Sequence, residues 1–400
     1  MRVALVSPYS WSYPGGVTRH VDALAGELRT QGKFVRVLAP FDPPGRKSSM
    51  RHHGAEPQRV KVPAHFVSLG PTVGLKANRA VSNLSFTAFG LSTMLNELRT
   101  GRYDVVHIHE PVAPLIGWVA ADRAHLPLVG TFHAYSDKSL PNGIANALGA
   151  RRVLGRLHVR IAVSEAAAWT GRRWFGGEYR IIPNGVHVDP QRGLRVRARR
   201  PGDRLRIVFV GQPVERKGLP VLLHAFGLLQ GDTPIDLVMI GPSPDDLPST
   251  VRSRPGVHAL GKVDDRTKYR ELERADVLCA PSLGGESFGM VLTEAFAAGR
   301  PVVASNIAGY RDVVRHGVTG VLVPPSDAQA LAKALRSLWA QPQQLASMGR
   351  AAAADAERFA WPGVAARVVD AYHDAIAARN ERSVPRLRIK RVWTSVPARA

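Results

Sequence analysis

Short apolar runs alternating with helical stretches constrain this chain more than any other feature, because the alternation stops part-way along and then starts again. The first series places strand-like runs at 3–7, 34–39, 103–107, 126–131 and 160–163. The second opens at Leu205-Arg206-Ile207-Val208-Phe209-Val210-Gly211 and continues at 235–240, 257–260, 275–280, 301–305 and 320–324. Strands this continuously apolar are buried on both faces by crossover helices, which means a parallel sheet. Residues 189–204, rich in Arg, Pro and Gly, separate the two series and read as a linker. A chain of 400 residues also exceeds what one core usually serves. The expected fold is α/β, with two doubly wound Rossmann-like domains facing across a cleft. The domains are expected at 1–190 and 205–378, with a linker at 191–204 and a basic tail at 379–400.

Charge narrows the partners. The chain carries 54 Lys+Arg against 32 Asp+Glu, net +22; residues 1–200 hold +16 of this and the last 22 residues the other +6. Such asymmetry implies an acidic partner on one side of the molecule. An anionic membrane lipid surface qualifies, and so does nucleic acid. No nucleic-acid reader motif is recognisable, so nucleic acid is not expected, and a basic nucleic-acid-binding protein stays only as an alternative. Met1-Arg2 leads directly into Val3-Ala4-Leu5-Val6 with no signal-peptide pattern, which points to the cytoplasm, with peripheral contact at the inner face of the cell membrane. The single Cys279 lies in an apolar run and reads as a buried structural thiol, with neither a disulfide framework nor a cysteine metal cluster. Residues 80–96 are uncharged, yet too short and too rich in Ser, Thr and Asn to span a bilayer. Val81, Leu84, Ala88, Leu91 and Leu95 share a helical face there, which predicts a core-facing amphipathic helix. Lys76, Arg79, Arg99 and Arg102 flank it, leaving a lipid-interface role open.

The chemistry concentrates at Gly284-Gly285-Glu286-Ser287-Phe288-Gly289, with Glu294 eight positions after Glu286. An apolar strand precedes the loop and a helical pattern follows it. A glycine loop at such a junction brings backbone N–H groups close to an anion, and the helix dipole adds favourable potential. Glu286 would repel that anion unless it binds something else, such as sugar hydroxyls. Sugar plus phosphate suggests a sugar nucleotide. A glycosidase pair would lie roughly 5 to 9.5 Å apart, whereas eight helical residues advance about 12 Å. Pro14-Gly15-Gly16-Val17 and the segment 211–218, which contains Arg216-Lys217, read as further backbone-approach loops. Neither G-x-G-x-x-G nor G-x-x-x-x-G-K-[ST] occurs, which argues against an NAD or ATP enzyme. No Asp-x-Asp pair occurs either, so no metal site is expected.

These segments, together with Ser7-Pro8-Tyr9-Ser10, His109-Glu110-Pro111, Thr131-Phe132-His133, Lys138-Ser139-Leu140 and Ile182-Pro183-Asn184-Gly185-Val186, carry a resemblance over nearly the whole chain. The sequence resembles the retaining family-4 glycosyltransferases of the two-Rossmann-domain (GT-B) type, and among them the phosphatidylinositol mannosyltransferases. The resemblance implies transfer of a hexose, mannose from GDP-mannose, to a membrane lipid such as phosphatidylinositol. Transfer to a soluble sugar acceptor and a sugar-nucleotide epimerase remain alternatives. It implies that Gly16, Gly211, Gln212, Arg216 and Lys217 border the donor diphosphate. Glu286 and the amides of Ser287, Phe288 and Gly289 would hold the sugar, and Glu294 the ribose. His133 would lie beneath the sugar, making His133, Lys217 and Glu286 the catalytic set. Tyr9, His20 and Lys138 would face the acceptor. No cofactor beyond the nucleotide sugar is required, with Mg left open. Two departures stand out: Gln212 occupies a position usually held by Arg, and the uncharged stretch 80–96 replaces a strongly basic amphipathic helix.

Overall fold

The computed structural model describes all residues except 59, 61, 78–79, 85–86, 114, 137–138, 190–199, 201 and 384–400. Two parallel sheets organise it. In the first, β1 (Arg2–Val6), β2 (Phe34–Ala39) and β3 (Phe66–Ser68) run outward on one side. On the other side lie β6 (Val105–His109), β7 (Leu128–Phe132), β8 (Val159–Ala162) and β9 (Arg180–Ile181), giving the order β3-β2-β1-β6-β7-β8-β9. The second sheet is built from β10 (Leu205–Val210), β11 (Ile235–Ile240), β12 (Val257–Ala259), β13 (Val277–Ala280), β14 (Val302–Ser305) and β15 (Gly320–Val323). Its order, β12-β11-β10-β13-β14-β15, repeats that of the first. Both orders reverse beside their first strand, and ligands of doubly wound sheets bind outside the strand carboxyl ends at that reversal.

Alternation along each strand divides the side chains between two helical layers. In the first sheet Val3, Leu5, Val37 and Val105 face the helix Gly16–Thr30, through Val21, Leu24 and Leu28. Ala4, Val6, Val106 and Ile108 face the opposite layer, with Met94, Leu98, Ile116 and Ala120. Cys279 is buried in β13, and burial pushes its thiol pKa up, as suits a structural residue.

The structure departs from expectation in three places. Residues 80–96 are not one helix. β4 (Val73–Ala77) pairs antiparallel with β5 (Ala80–Leu84), and a helix begins only at Ala88 and runs to Thr100. Thr87 ends the strand-like part: its Oγ1 accepts the Gly90 amide at 3.1 Å as an N-cap. The buried face of the helix is Gly90, Met94 and Leu98, one position away from the expected stripe, while Phe89 is exposed. The helix Trp361–Ser383, which the sequence boundaries place in the second domain and its tail, packs instead on the first sheet. Trp361, Val364, Val368 and Tyr372 join the β1, β2 and β6 core, and Tyr372 Oη lies 2.8 Å from His107 Nδ1. The short strands β3 and β9 also went unread, each being three residues or fewer.

Candidate functional site

On the second sheet, two loops form one surface. The segment after β10 makes a single helical turn at Glu215–Lys217 and ends at Gly218. Gly218 has φ +71, and a Cβ there would meet Pro281 O at 1.9 Å, so only glycine lets this loop approach the one after β13. Leu283 N donates to Arg216 O at 2.8 Å, tying them together. Arg216 and Lys217 both pair with the Glu286 carboxylate, Lys217 Nζ at 2.8 Å from Oε1. Gly289 caps the helix Met290–Ala297 at φ +85, where a Cβ would lie 2.5 Å from the Tyr310 ring. Glu294, inside that helix, pairs at 2.7 Å with the buried Lys268. The two glutamates therefore have separate cationic partners. Only the last part of the step between them is helical, so the 12 Å spacing expected from eight helical residues does not apply.

From the first sheet, Gly16 opens the helix Gly16–Thr30, whose N-cap Gly15 offers no side-chain cap. A Cβ on Gly16 would stand 3.5 Å from Met290 Sδ, so this helix start faces the start of the helix at Met290. Arg19 also reaches Asp265 across the domains at 3.3 Å.

Behind this junction four buried imidazoles cluster. His20 comes from the helix at Gly16, His107 and His109 from β6, and His133 from the end of β7. The rings of His20 and His133 lie 4.9 Å apart and those of His107 and His109 4.1 Å. Burial, which disfavours the charged form, lowers all four: His20 to about 4, His107 to about 3, His109 and His133 well below the usual value, with the neighbouring imidazoles adding to the effect on the last three. Glu110 follows His109 at φ +49 and accepts the His133 amide at 3.0 Å. Burial raises its carboxyl to about 7, opposed by the amides of His133 and Ala134. Burial, then the Glu110 carboxyl, pushes the Tyr9 phenol up, which sets Tyr9 near the same group. The Tyr9 loop is held by the buried Asp42, which accepts from Ser10 Oγ and Thr72 Oγ1, both at 2.6 Å.

A family model described as Glycosyltransferase Family 4 matches residues 14–190, and one described as Glycosyl transferases group 1 matches 204–341. The phosphatidyl-myo-inositol mannosyltransferase of Mycobacterium leprae is 36% identical over 93% of this chain and 96% of its own length. The chain belongs to the family-4 glycosyltransferases. A D-inositol 3-phosphate glycosyltransferase of Streptomyces bingchenggensis is 32% identical over 80% of this chain and 77% of its own length. Among solved structures, Anabaena HepE in complex with UDP matches with TM-score 0.68 at 19% identity, covering 93% of this chain and all of that one. Sucrose-phosphate synthase from Thermosynechococcus elongatus matches with TM-score 0.68 at 20% identity, over 94% and 100%. These two likenesses establish the GT-B fold.

The glycosyltransferase brings together most of the residues singled out from its sequence. Gly211, Arg216, Lys217, Glu286 and Ser287 share the loop surface of the second sheet, with Gly16 opposite. Gln212 is exposed on the same loop. The Phe288 ring is buried against Phe359, with centroids 5.7 Å apart, so its backbone alone is left for the amide contact expected of it. Lys138 lies outside the described residues. Sequence reasoning missed Lys268, His107 and Asp42, and it quoted His109 and Glu110 in a motif without giving them a place in the site. For the two β6 histidines the signal was available, since residues i and i+2 of a strand share a face. Lys268 looked like any lysine of a polar helix. An apolar hollow of about 530 Å³ beside the helix Leu219–Leu229 is lined by none of these residues.

Proposed function

We propose that this glycosyltransferase transfers mannose from GDP-mannose to a membrane lipid of the phosphatidylinositol type, with retention of configuration. The observation that carries the reading is the shared carboxylate: Arg216 and Lys217 converge on Glu286, beside glycine loops and opposite the helix start at Gly16. As the anomeric bond breaks, negative charge grows on the diphosphate and positive charge on the sugar. Fixed cations and backbone N–H dipoles stabilise the first. In this reading the donor diphosphate takes Arg216 and Lys217 from Glu286, and the released carboxylate accepts the sugar hydroxyls. The cations are thus held in position before the donor arrives. Glu294, bridged to Lys268, would hold the ribose. His133 lies under the transfer point, and Tyr9 and His20 face the acceptor. The leaving phosphate takes the acceptor's proton as attack occurs on the same face. Closure of the lobes excludes water.

The names of the mycobacterial relatives, the net charge of +22 and its concentration in the first 200 residues support a lipid acceptor at an anionic surface. No helix among the described residues is long and apolar enough to cross a membrane, which fits a peripheral contact at the inner face. The D-inositol 3-phosphate relative favours a second reading, in which a soluble inositol phosphate accepts the sugar.

The test measures transfer from GDP-mannose, UDP-glucose and UDP-N-acetylglucosamine to phosphatidylinositol vesicles and to free inositol phosphate. Lys217→Ala and Glu286→Ala should each lower kcat/KM by about 10²-fold or more, the usual scale for removing a group that stabilises transition-state charge. Near wild-type transfer by both variants would refute the donor-site assignment.

A further inference from the structure

The four clustered imidazoles differ in how their ring nitrogens are used. His107 engages both: Nδ1 lies 2.8 Å from Tyr372 Oη and Nε2 2.6 Å from Thr131 Oγ1. In two of the other three, one nitrogen is left over. His20 Nδ1 and His109 Nε2 are buried with no hydrogen-bond partner, and His109 Nδ1 meets His133 Nε2 at 3.2 Å. One ligand nitrogen from each of His20, His109 and His133 lies within 4.8 Å of the other two, the only such group of His, Cys, Asp or Glu among the described residues. A buried polar nitrogen without a partner is unfavourable. Two of the nitrogens here are so placed, and the three rings converge from a helix, a strand and a loop to form a donor set.

The geometry fits one class of ligand. Zinc–nitrogen bonds of about 2.0–2.1 Å at a tetrahedral angle set two imidazole nitrogens about 3.3 Å apart. The His109–His133 pair already has that separation at 3.2 Å. The widest pair must draw together by about 1.5 Å, a movement available to the broad ring torsion of histidine. An all-nitrogen set disfavours Mg and Ca, which take oxygen ligands, and suits Zn and its neighbours. Three protein ligands leave a fourth position for water.

We infer that His20, His109 and His133 bind a divalent cation of the Zn(II) class, and that its binding shuts the transfer site. No proton is released: each neutral imidazole keeps its one N–H, on the nitrogen turned away from the ion, and the His109–His133 contact gives way to two metal–nitrogen bonds. The binding itself is independent of the proposed function. The shutting rests on that reading, since His133 is the group placed beneath the transferred sugar.

The experiment titrates the chelator-treated full chain with Co(II) and follows visible absorption, because tetrahedral Co(II) absorbs far more strongly than the hydrated ion. A strong spectrum saturating at one Co(II) per chain, displaced by Zn(II) and untouched by Mg(II), is expected. His20→Gln and His109→Gln should each weaken binding at least tenfold, and the one whose thermal melt stays cooperative decides should the other misfold. In the same samples, mannosyl transfer should fall in step with bound Zn(II) and return on chelation. A missing spectrum, or one unaltered in the folded variants, overturns the site. Binding without loss of transfer overturns the shutting. If the metal-free enzyme transfers nothing from any donor, the proposed function fails, and the spectrum still decides the site.

Discussion

Glu286 is the residue on which the second-sheet surface turns, and its position depends on its glycines. Gly289 sits at φ +85 with the Tyr310 ring 2.5 Å from where a Cβ would be, whereas Gly285, at φ +71, looks into open space. Gly285→Ala should therefore cost only the left-handed strain, roughly 1–2 kcal/mol. Gly289→Ala adds the displacement of a fully buried tyrosine and should cost visibly more in denaturant unfolding; equal losses for the two would refute the packing argument. Glu110 gives a prediction in pH. Its carboxyl stands at about 7 in the folded chain against the ordinary 4.5, chiefly through burial. Below pH 4.5 both states are protonated and the group is neutral towards stability. As pH rises through the interval, the folded chain holds a proton that the unfolded chain has released, so stability falls, by roughly 3 kcal/mol once pH exceeds 7. Glu110→Gln should thus stabilise the protein at pH 8 and have little effect at pH 5, as read by urea midpoints. The lowered histidines act in the opposite direction, removing stability as pH falls below their ordinary value, and the comparison with wild type at each pH cancels them.

At the scale of elements, legibility followed length and uniformity. Strands such as Leu205–Val210 and Ile235–Ile240 are near-continuous apolar runs, and a run of that kind between turn residues has few other places to go. Residues 80–96 defeated the same reasoning because a conformational boundary falls inside an uncharged stretch. Period 3.6 can be drawn through Val81 and Leu84, yet both lie in a strand whose pairing with Val73–Ala77 is set by chain segments the periodicity does not contain. Thr87 marks the boundary, and a threonine before a helical pattern was a readable cap. Thr87→Ala should remove the hydrogen bond to the Gly90 amide and lower stability by about 1 kcal/mol, while Thr87→Ser retains it. Equal unfolding midpoints for the two would show that the cap contributes nothing. The His20, His107, His109 and His133 cluster was hidden for a related reason: its members come from three elements, and only the order of strands brings them together.

The whole molecule is less divisible than its two sheets suggest. Its restart at residue 205 was plain in the sequence, but the final helix obeys no such division: Trp361–Ser383 follows the second sheet in the chain and completes the core of the first. The approach is close enough that Gly185 admits no side chain, since a Cβ there would lie 2.3 Å from the Trp361 ring. Val186 N donates to Phe359 O at 2.8 Å, and Trp361 N to Val186 O at 3.2 Å, so the crossing is also fixed by backbone. A fragment ending at residue 190 would expose the surface that Trp361, Val364, Val368 and Tyr372 cover. Each large apolar side chain contributes about 1.5–3 kcal/mol on burial, and a domain has only about 5–15 kcal/mol in all. Residues 1–190 alone should therefore show no cooperative thermal transition, and joining 361–383 to them through a flexible linker should restore one. A cooperative melt of 1–190 by itself would mean that the first sheet does not need this helix, and that the lobes are joined more loosely than their shared core implies.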